Sequence, residues 1–148
     1  SGITFYNSGT VTNNSGAFLK GLGNVYYGNI NFNSGSTIAP GLSPGKLTIA
    51  TDFNLGNSTY QCEINGTIQY SQYDVLAING AATVNNSTLE IIWGFTPVAG
   101  NTFTILTCNS LIGQFQNIII PPVNGINFTV TYNATNIIIT SIYQNIMI

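Results

Sequence analysis

The sequence contains no histidine and no arginine, and charge of either sign is scarce. Lys20, Lys46, Asp52, Glu63, Asp74 and Glu90 are its only charged side chains, 4% of 148 residues, where an average soluble protein carries roughly 25%. Without histidine, Ser–His and Cys–His nucleophilic pairs and histidine-bearing metal sites cannot be built. Two cysteines alone do not make a structural zinc site. There is no Asp-rich calcium loop and no glycine-rich phosphate loop with a lysine. No cofactor, no metal and no catalytic residues are therefore expected, and the chain reads as no enzyme. The absence of any basic patch argues against a nucleic-acid partner. No apolar run approaches the ~18 residues of a membrane-spanning helix. The opening Ser1-Gly2-Ile3-Thr4 lacks the charged and apolar regions of a signal peptide, so a secreted chain is expected to have shed its signal already.

What is present is apolar and aromatic. Hydrophobic residues make up 44%, with eight Tyr and eight Phe, which excludes disorder. A surface this poor in charge suits a chain that meets copies of itself. No sustained helical periodicity occurs. β-branched and aromatic residues dominate in short runs broken by Asn, Gly and Ser, the pattern of strands and tight turns. Strands are expected at 3–6, 9–12, 25–32, 46–54, 59–64, 73–78, 81–84, 88–93, 102–107, 115–120, 126–132 and 136–143.

A turn pattern recurs: an apolar strand, an Asn/Gly/Ser turn, then a small residue and an apolar one. It occurs at 11–18, 32–38, 55–60 and 84–89, with Ala17, Thr37, Thr59 and Thr88 at equivalent places. Steps of roughly 20–30 residues fit stacked repeat units, and they equally fit a meander of hairpins.

Few residues invite chemistry. The acids Asp52, Glu63, Asp74 and Glu90 fall in or beside different strands, and a glycosidase would need two of them about 5–10 Å apart. Solvated or turn-capping acids are the plainer expectation. Lys46 sits in an apolar strand, where an intramolecular Lys–Asn isopeptide bond would require burial beside a carboxyl group. Cys62 and Cys108 can form one disulfide or stay as two buried thiols. Tyr26, Tyr27, Tyr70, Tyr73 and Trp93 could stack on sugars, although packing on a strand face is the simpler use. Asn-x-Ser/Thr sequons at Asn13, Asn57, Asn65, Asn85, Asn86, Asn127 and Asn133 are candidate glycosylation sites.

An ordered series of segments carries a family resemblance. GSTIAPGLSPGKLTI (35–49), STYQCEING (58–66), YDVLAING (73–80), ATVNNSTLE (82–90) and GFTPVAGNTFTILT (94–107) come first. GQF (113–115) and FTVTY (128–132) then resemble closing strands. The series, over roughly 30–140, resembles the C-terminal β-helix module of autotransporter passenger domains and related bacterial secreted surface proteins. The resemblance implies an all-β fold: a short parallel β-helix running into a β-sandwich-like cap. The alternative is a β-sandwich or jelly roll. Within one domain over 1–148, residues 1–50 would form solenoid-like rungs, 51–140 the cap-like module and 141–148 an apolar extension. Pro40-Gly41 and Pro44-Gly45 would bracket a rigid corner, each glycine taking a positive φ. No outer-membrane barrel follows, so the module is expected to be the subunit in itself.

The apolar ends complete the picture. Ile3 and Phe5 at one end, and Ile142, Tyr143, Ile146, Met147 and Ile148 at the other, are candidate subunit contacts. An exposed strand edge templates further pairing. A terminal strand, the C-terminal one first, is expected to add to the next copy, and such a head-to-tail contact leads to an open filament. The expected role is a structural subunit of an extracellular, cell-surface fibre or layer whose main partner is itself. An adhesin or carbohydrate-binding module with surface glycans as partners is the alternative.

Overall fold

A computed structural model describes residues 3–41 and 44–144; the side chains of residues 3–8 and 26–29 also fall outside the description. The described chain is all-β. Its strands are β1 (Ile3–Asn13), β2 (Phe18–Gly21), β3 (Gly23–Phe32), β4 (Thr37–Pro40) and β5 (Lys46–Ile49). β6 (Phe53–Asn54), β7 (Thr59–Ile64), β8 (Val75–Ile78), β9 (Ala81–Thr83) and β10 (Thr88–Trp93) follow. The last are β11 (Thr102–Thr107), β12 (Ser110–Ile112), β13 (Asn117–Ile119), β14 (Ile126–Tyr132) and β15 (Asn136–Tyr143). No helix among the described residues is long and apolar enough to cross a membrane.

These strands form three sheets. The first runs β1-β3-β5-β8-β11-β15-β14, the second β13-β10-β7-β4-β2 and the third β12-β9-β6. From β5 to β13 the chain visits first, third and second sheet in unbroken rotation. Neighbours within a sheet are parallel, apart from β11–β15 and β14–β15. A meander of hairpins would instead pair sequence neighbours antiparallel.

From Thr37 onward the turn repeat read from the sequence lands on the register of the second sheet. Its first member is one residue off, because Phe18 and not Ala17 pairs with Thr37. Thr37 pairs with Thr59, and Thr59 with Thr88, so the steps of the repeat are the spacing of adjacent strands. The step from Thr59 to Thr88 recurs unchanged in Phe53↔Ala82, Ala81↔Ser110 and Thr88↔Asn117. Shorter steps at the N-terminal end, such as Phe18↔Thr37, leave no strand for the third sheet, which begins only at Phe53.

Alternation sets the core. Residues i and i+2 of a strand share a face, so β7 buries Tyr60, Cys62 and Ile64 while the residues between them are half-exposed. Ile38, Tyr60 and Leu89 stand in one fully buried column across three strands. Just before this column lies a buried serine file: Ser36, Ser58 and Ser87. The Ser36 and Ser58 hydroxyls are 2.8 Å apart, Ser58 donates to the Asn33 carbonyl at 2.9 Å, and Ser87 donates to the Val84 carbonyl. Burying a hydroxyl is tolerated because each of these is hydrogen-bonded.

Several expectations are corrected. Phe18–Gly21, Thr37–Pro40 and Ser110–Ile112 are strands that propensity missed, because Lys, Gly, Pro and Ser dilute their apolar pattern. The expected strand 46–54 breaks at 50–52, and the expected pair 3–6 and 9–12 is one strand with a register shift between Asn7 and Thr10. Gly41 has φ +87°, as anticipated. Gly45 does not take a positive φ; a Cβ there would lie 1.9 Å from the Leu22 side chain, so close approach is what demands glycine.

Candidate functional site

Three of the six charged residues line one depression of about 160 Å³. Lys20 from β2, Glu63 from β7 and Asp74 just before β8 line it together with Ala39, Pro40 and Gly41 and with Gln61 and Ile92. They are far apart in sequence and converge because parallel neighbours bring β2, β4 and β7 side by side.

Asp74 is the deepest of them, only 2% exposed. Its Oδ1 accepts from the Gly45 N–H at 2.9 Å and its Oδ2 from the Glu63 N–H at 2.8 Å. Burial raises its pKa to about 7 against the pull of those two N–H groups, and the neighbouring Glu63 charge raises it further. Both oxygens are thus committed to the main chain, and Asp74 ties β7 to the segment that leads into β5. Glu63 accepts from Asn65 Nδ2 at 2.7 Å. Lys20 lies 5.0 Å from the Phe18 ring centroid. Asp52 has the same kind of role as Asp74, its Oδ1 accepting from the Ala81 N–H at 2.9 Å. Glu90 accepts from Gln61 Nε2 at 3.4 Å. Asp52, Asp74 and Glu90 thus each bond to a residue one turn of the repeat away. Among the described residues, no three Cys, Asp or Glu side chains form a metal-ligating group.

The other anticipated residues are spread over the molecule. Cys62 and Cys108 are free and buried. Cys62 points inward from the second sheet and donates to the Asp74 carbonyl at 3.6 Å, whereas Cys108 lies just beyond β11 of the first sheet; of the two alternatives, the pair of buried thiols is the one present. Burial raises both thiol pKa values, and Asp74 adds to the rise at Cys62, which keeps both as unreactive thiols. Lys46 is exposed, 5.1 Å from the Tyr70 ring centroid, not buried beside a carboxyl group, so the isopeptide geometry is absent. Tyr73 is buried edge-on to Phe103, and Trp93 packs against Phe95, Phe103 and Phe128. Both serve the core; only Tyr70 of the described candidate stacking residues is exposed. Tyr26 and Tyr27 side chains lie outside the described residues.

Among the sequons, Asn13 is corrected: it is buried, and its Nδ2 donates to the Ala17 and Thr37 carbonyls. Asn57, Asn65, Asn85, Asn86, Asn127 and Asn133 are exposed. The terminal contacts divide likewise. Ile142 and Tyr143 present exposed side chains, Tyr143 at 79%, at the end of strand β15, which lies between β11 and β14. The C-terminal strand is flanked on both sides only through Ser141; beyond it Ile142 and Tyr143 pair, among the described strands, with β14 alone. Ile146, Met147 and Ile148 lie outside the described residues. Ile3 and Phe5 belong to β1, the outermost strand of the first sheet, and their side chains fall outside the description.

The sequence carries no motif that singles out Lys20, and Asn31, Asn33 and Asn54 line a second depression, together with Ile30, Phe32 and Gly56. The one sequence signal for the latter is a Phe-Asn pair repeated at 32–33 and 53–54. Compared with protein-family models and with curated proteins, the chain matches none.

Proposed function

We propose that this chain is a short parallel β-helix with an antiparallel cap, and that it works as a structural subunit of an extracellular fibre or layer joined by strand edges. The β-helix reading is supported by parallel ladders that repeat one step and by the fixed rotation through three sheets. The β14–β15 hairpin beyond β11 supports the cap, and with it the resemblance to passenger-type surface modules.

The observation that carries the functional reading is β1. It spans 11 residues without a charge or a proline, closes one end of the seven-stranded sheet, and among the described strands pairs with β3 alone. Native edges of this length are commonly blunted by lysine or proline. Beside it, β2 ends the second sheet with Phe18 53% exposed. A second copy adding a strand at this end would bond main-chain groups of β1 on either side of Gly9 and cover Phe18.

Electron microscopy and light scattering of the purified chain test the reading, together with Thr10→Lys/Thr12→Lys, which places two charges on exposed positions of β1. Filaments or higher oligomers from the natural chain, lost in the double variant, are the expected result. A natural chain that stays monomeric up to millimolar concentration overturns it.

A further inference from the structure

The third sheet ends abruptly at β6. On its outer side runs the second half of β3, whose Ile30–Phe32 segment pairs with β1 on the far side and is not bonded to β6. Between the two strands lies a crevice in two parts, about 510 Å³ and about 320 Å³, which share Ile30 and Asn54. Together they fall in the size range of small-molecule sites, roughly 300–1,000 Å³.

Its chemistry is specific. The apolar side is Ile30 and the Phe32–Phe53 pair, whose rings meet edge to face with centroids 5.2 Å apart. The polar side is amide. Asn33 donates its Nδ2 to Asn14 Oδ1 at 3.0 Å, which leaves its side-chain Oδ1 as an acceptor. Asn54 does the converse: its Oδ1 accepts from the Gly56 N–H at 3.0 Å, which leaves its NH₂ as a donor. One acceptor and one donor thus stand along the same crevice, with Asn31 beside them. A hydroxyl both donates and accepts, so it satisfies such a pair where a cation or an anion satisfies only half. The single charged group lining the crevice, Asp52, already has Oδ1 on the Ala81 N–H.

We propose that this crevice binds a neutral, polyhydroxylated ligand, a short uncharged glycan, with hydroxyls on Asn33 and Asn54 and a C–H face on Ile30 and Phe32. An added peptide strand fits less well, because β6 offers an edge of only two residues, Phe53–Asn54. The site is independent of assembly: it uses neither the outer edge of β1 nor Phe18.

The test is an NMR titration of the ¹⁵N-labelled chain with cellotetraose, maltotetraose, chitotetraose and mannotetraose, and with a heparin disaccharide as the anionic control. The expected result is saturable shifts at Asn31, Asn33, Asn54 and Thr83 with at least one neutral sugar and none with the heparin fragment. Asn33→Ala/Asn54→Ala, both at exposed positions, should weaken that binding about tenfold, equivalent to about 1.4 kcal/mol, while the ¹⁵N spectrum of the free variant keeps its folded dispersion. Three results overturn the proposal: no saturable shift with any of the four sugars, shifts centred elsewhere, or equal affinity in the double variant. A strand-forming peptide that shifts the same residues while the sugars do not would overturn the ligand class.

Discussion

The two ends of this molecule are built from the same strands and finished differently. At the C-terminal end, three sheets run side by side and an antiparallel hairpin, β14–β15, continues the first sheet past β11. Trp93, Phe95, Phe103 and Phe128 form a ring cluster there, and Ile137 and Ile139 of β15 are fully buried. At the N-terminal end the described strands form only two sheets, the register steps are shorter, and β1 and β2 are outermost. The difference comes from chain length per return. The step from Thr59 to Thr88 accommodates a third strand with its turns, and the step from Phe18 to Thr37 does not. Both ends of the first sheet are edges, β1 and β14. The functional proposal rests on their difference, an 11-residue parallel strand at one end and the outer strand of an antiparallel hairpin at the other.

The largest expected effect lies in the cap. Phe103 is fully buried and touches Tyr73, Trp93 and Phe95. Phe103→Ala should destabilise the fold by about 3–5 kcal/mol, read by urea unfolding. A loss below about 1 kcal/mol, well under that range, would mean that the aromatic cluster does not hold this end. Native-state hydrogen exchange should meanwhile show the amides of β11 as slower than those of β1 and β2, since an outermost strand opens without disrupting a neighbour. The reverse order would break the comparison.

Asp74 joins the two halves and should respond to pH. Its folded pKa, about 7, stands above an unfolded value of ~3.9. Between those values the folded state holds more protons than the unfolded one, so Asp74's contribution is fully present below about pH 4 and is lost as pH rises through about 7. The natural chain should therefore melt at a higher temperature in mildly acidic buffer than in mildly alkaline buffer. Asp74→Asn should flatten that slope. It should also cost about 1–3 kcal/mol, because an amide has one oxygen for the two N–H groups of Gly45 and Glu63. A slope that persists in the variant would assign it to another group.

The smallest effect is in the serine file, where Ser58→Ala removes the donor to Asn33 and the contact with Ser36. A loss of about 1 kcal/mol is expected from chemical unfolding. No loss would show that the file fills space only.

Much of this was legible in the residues, for identifiable reasons. Strands such as Thr59–Ile64, Thr88–Trp93 and Asn136–Tyr143 announce themselves because alternation and β-branching are local properties. The Thr37, Thr59, Thr88 series shows the register because stacked neighbours repeat the same turn chemistry. Short strands such as Thr37–Pro40 escaped, since their neighbours in the sheet, not their own propensity, hold them. The candidate sites were less legible. Lys20, Glu63 and Asp74 have no shared motif, and the amide crevice depends on which atoms of Asn33 and Asn54 are already engaged.

Composition and two-residue alternation act over a few neighbours, and they are enough to make this an all-β chain of short strands, poor in charge and free of histidine chemistry. Stacking in three dimensions settles the rest: β1 and β14 lie outermost in the first sheet, the two cysteines stay unbridged, and three scattered charges share one depression. Those outcomes depend on which strand stacks on which across a whole turn of the repeat, and that choice is made by side-chain columns filling a common core.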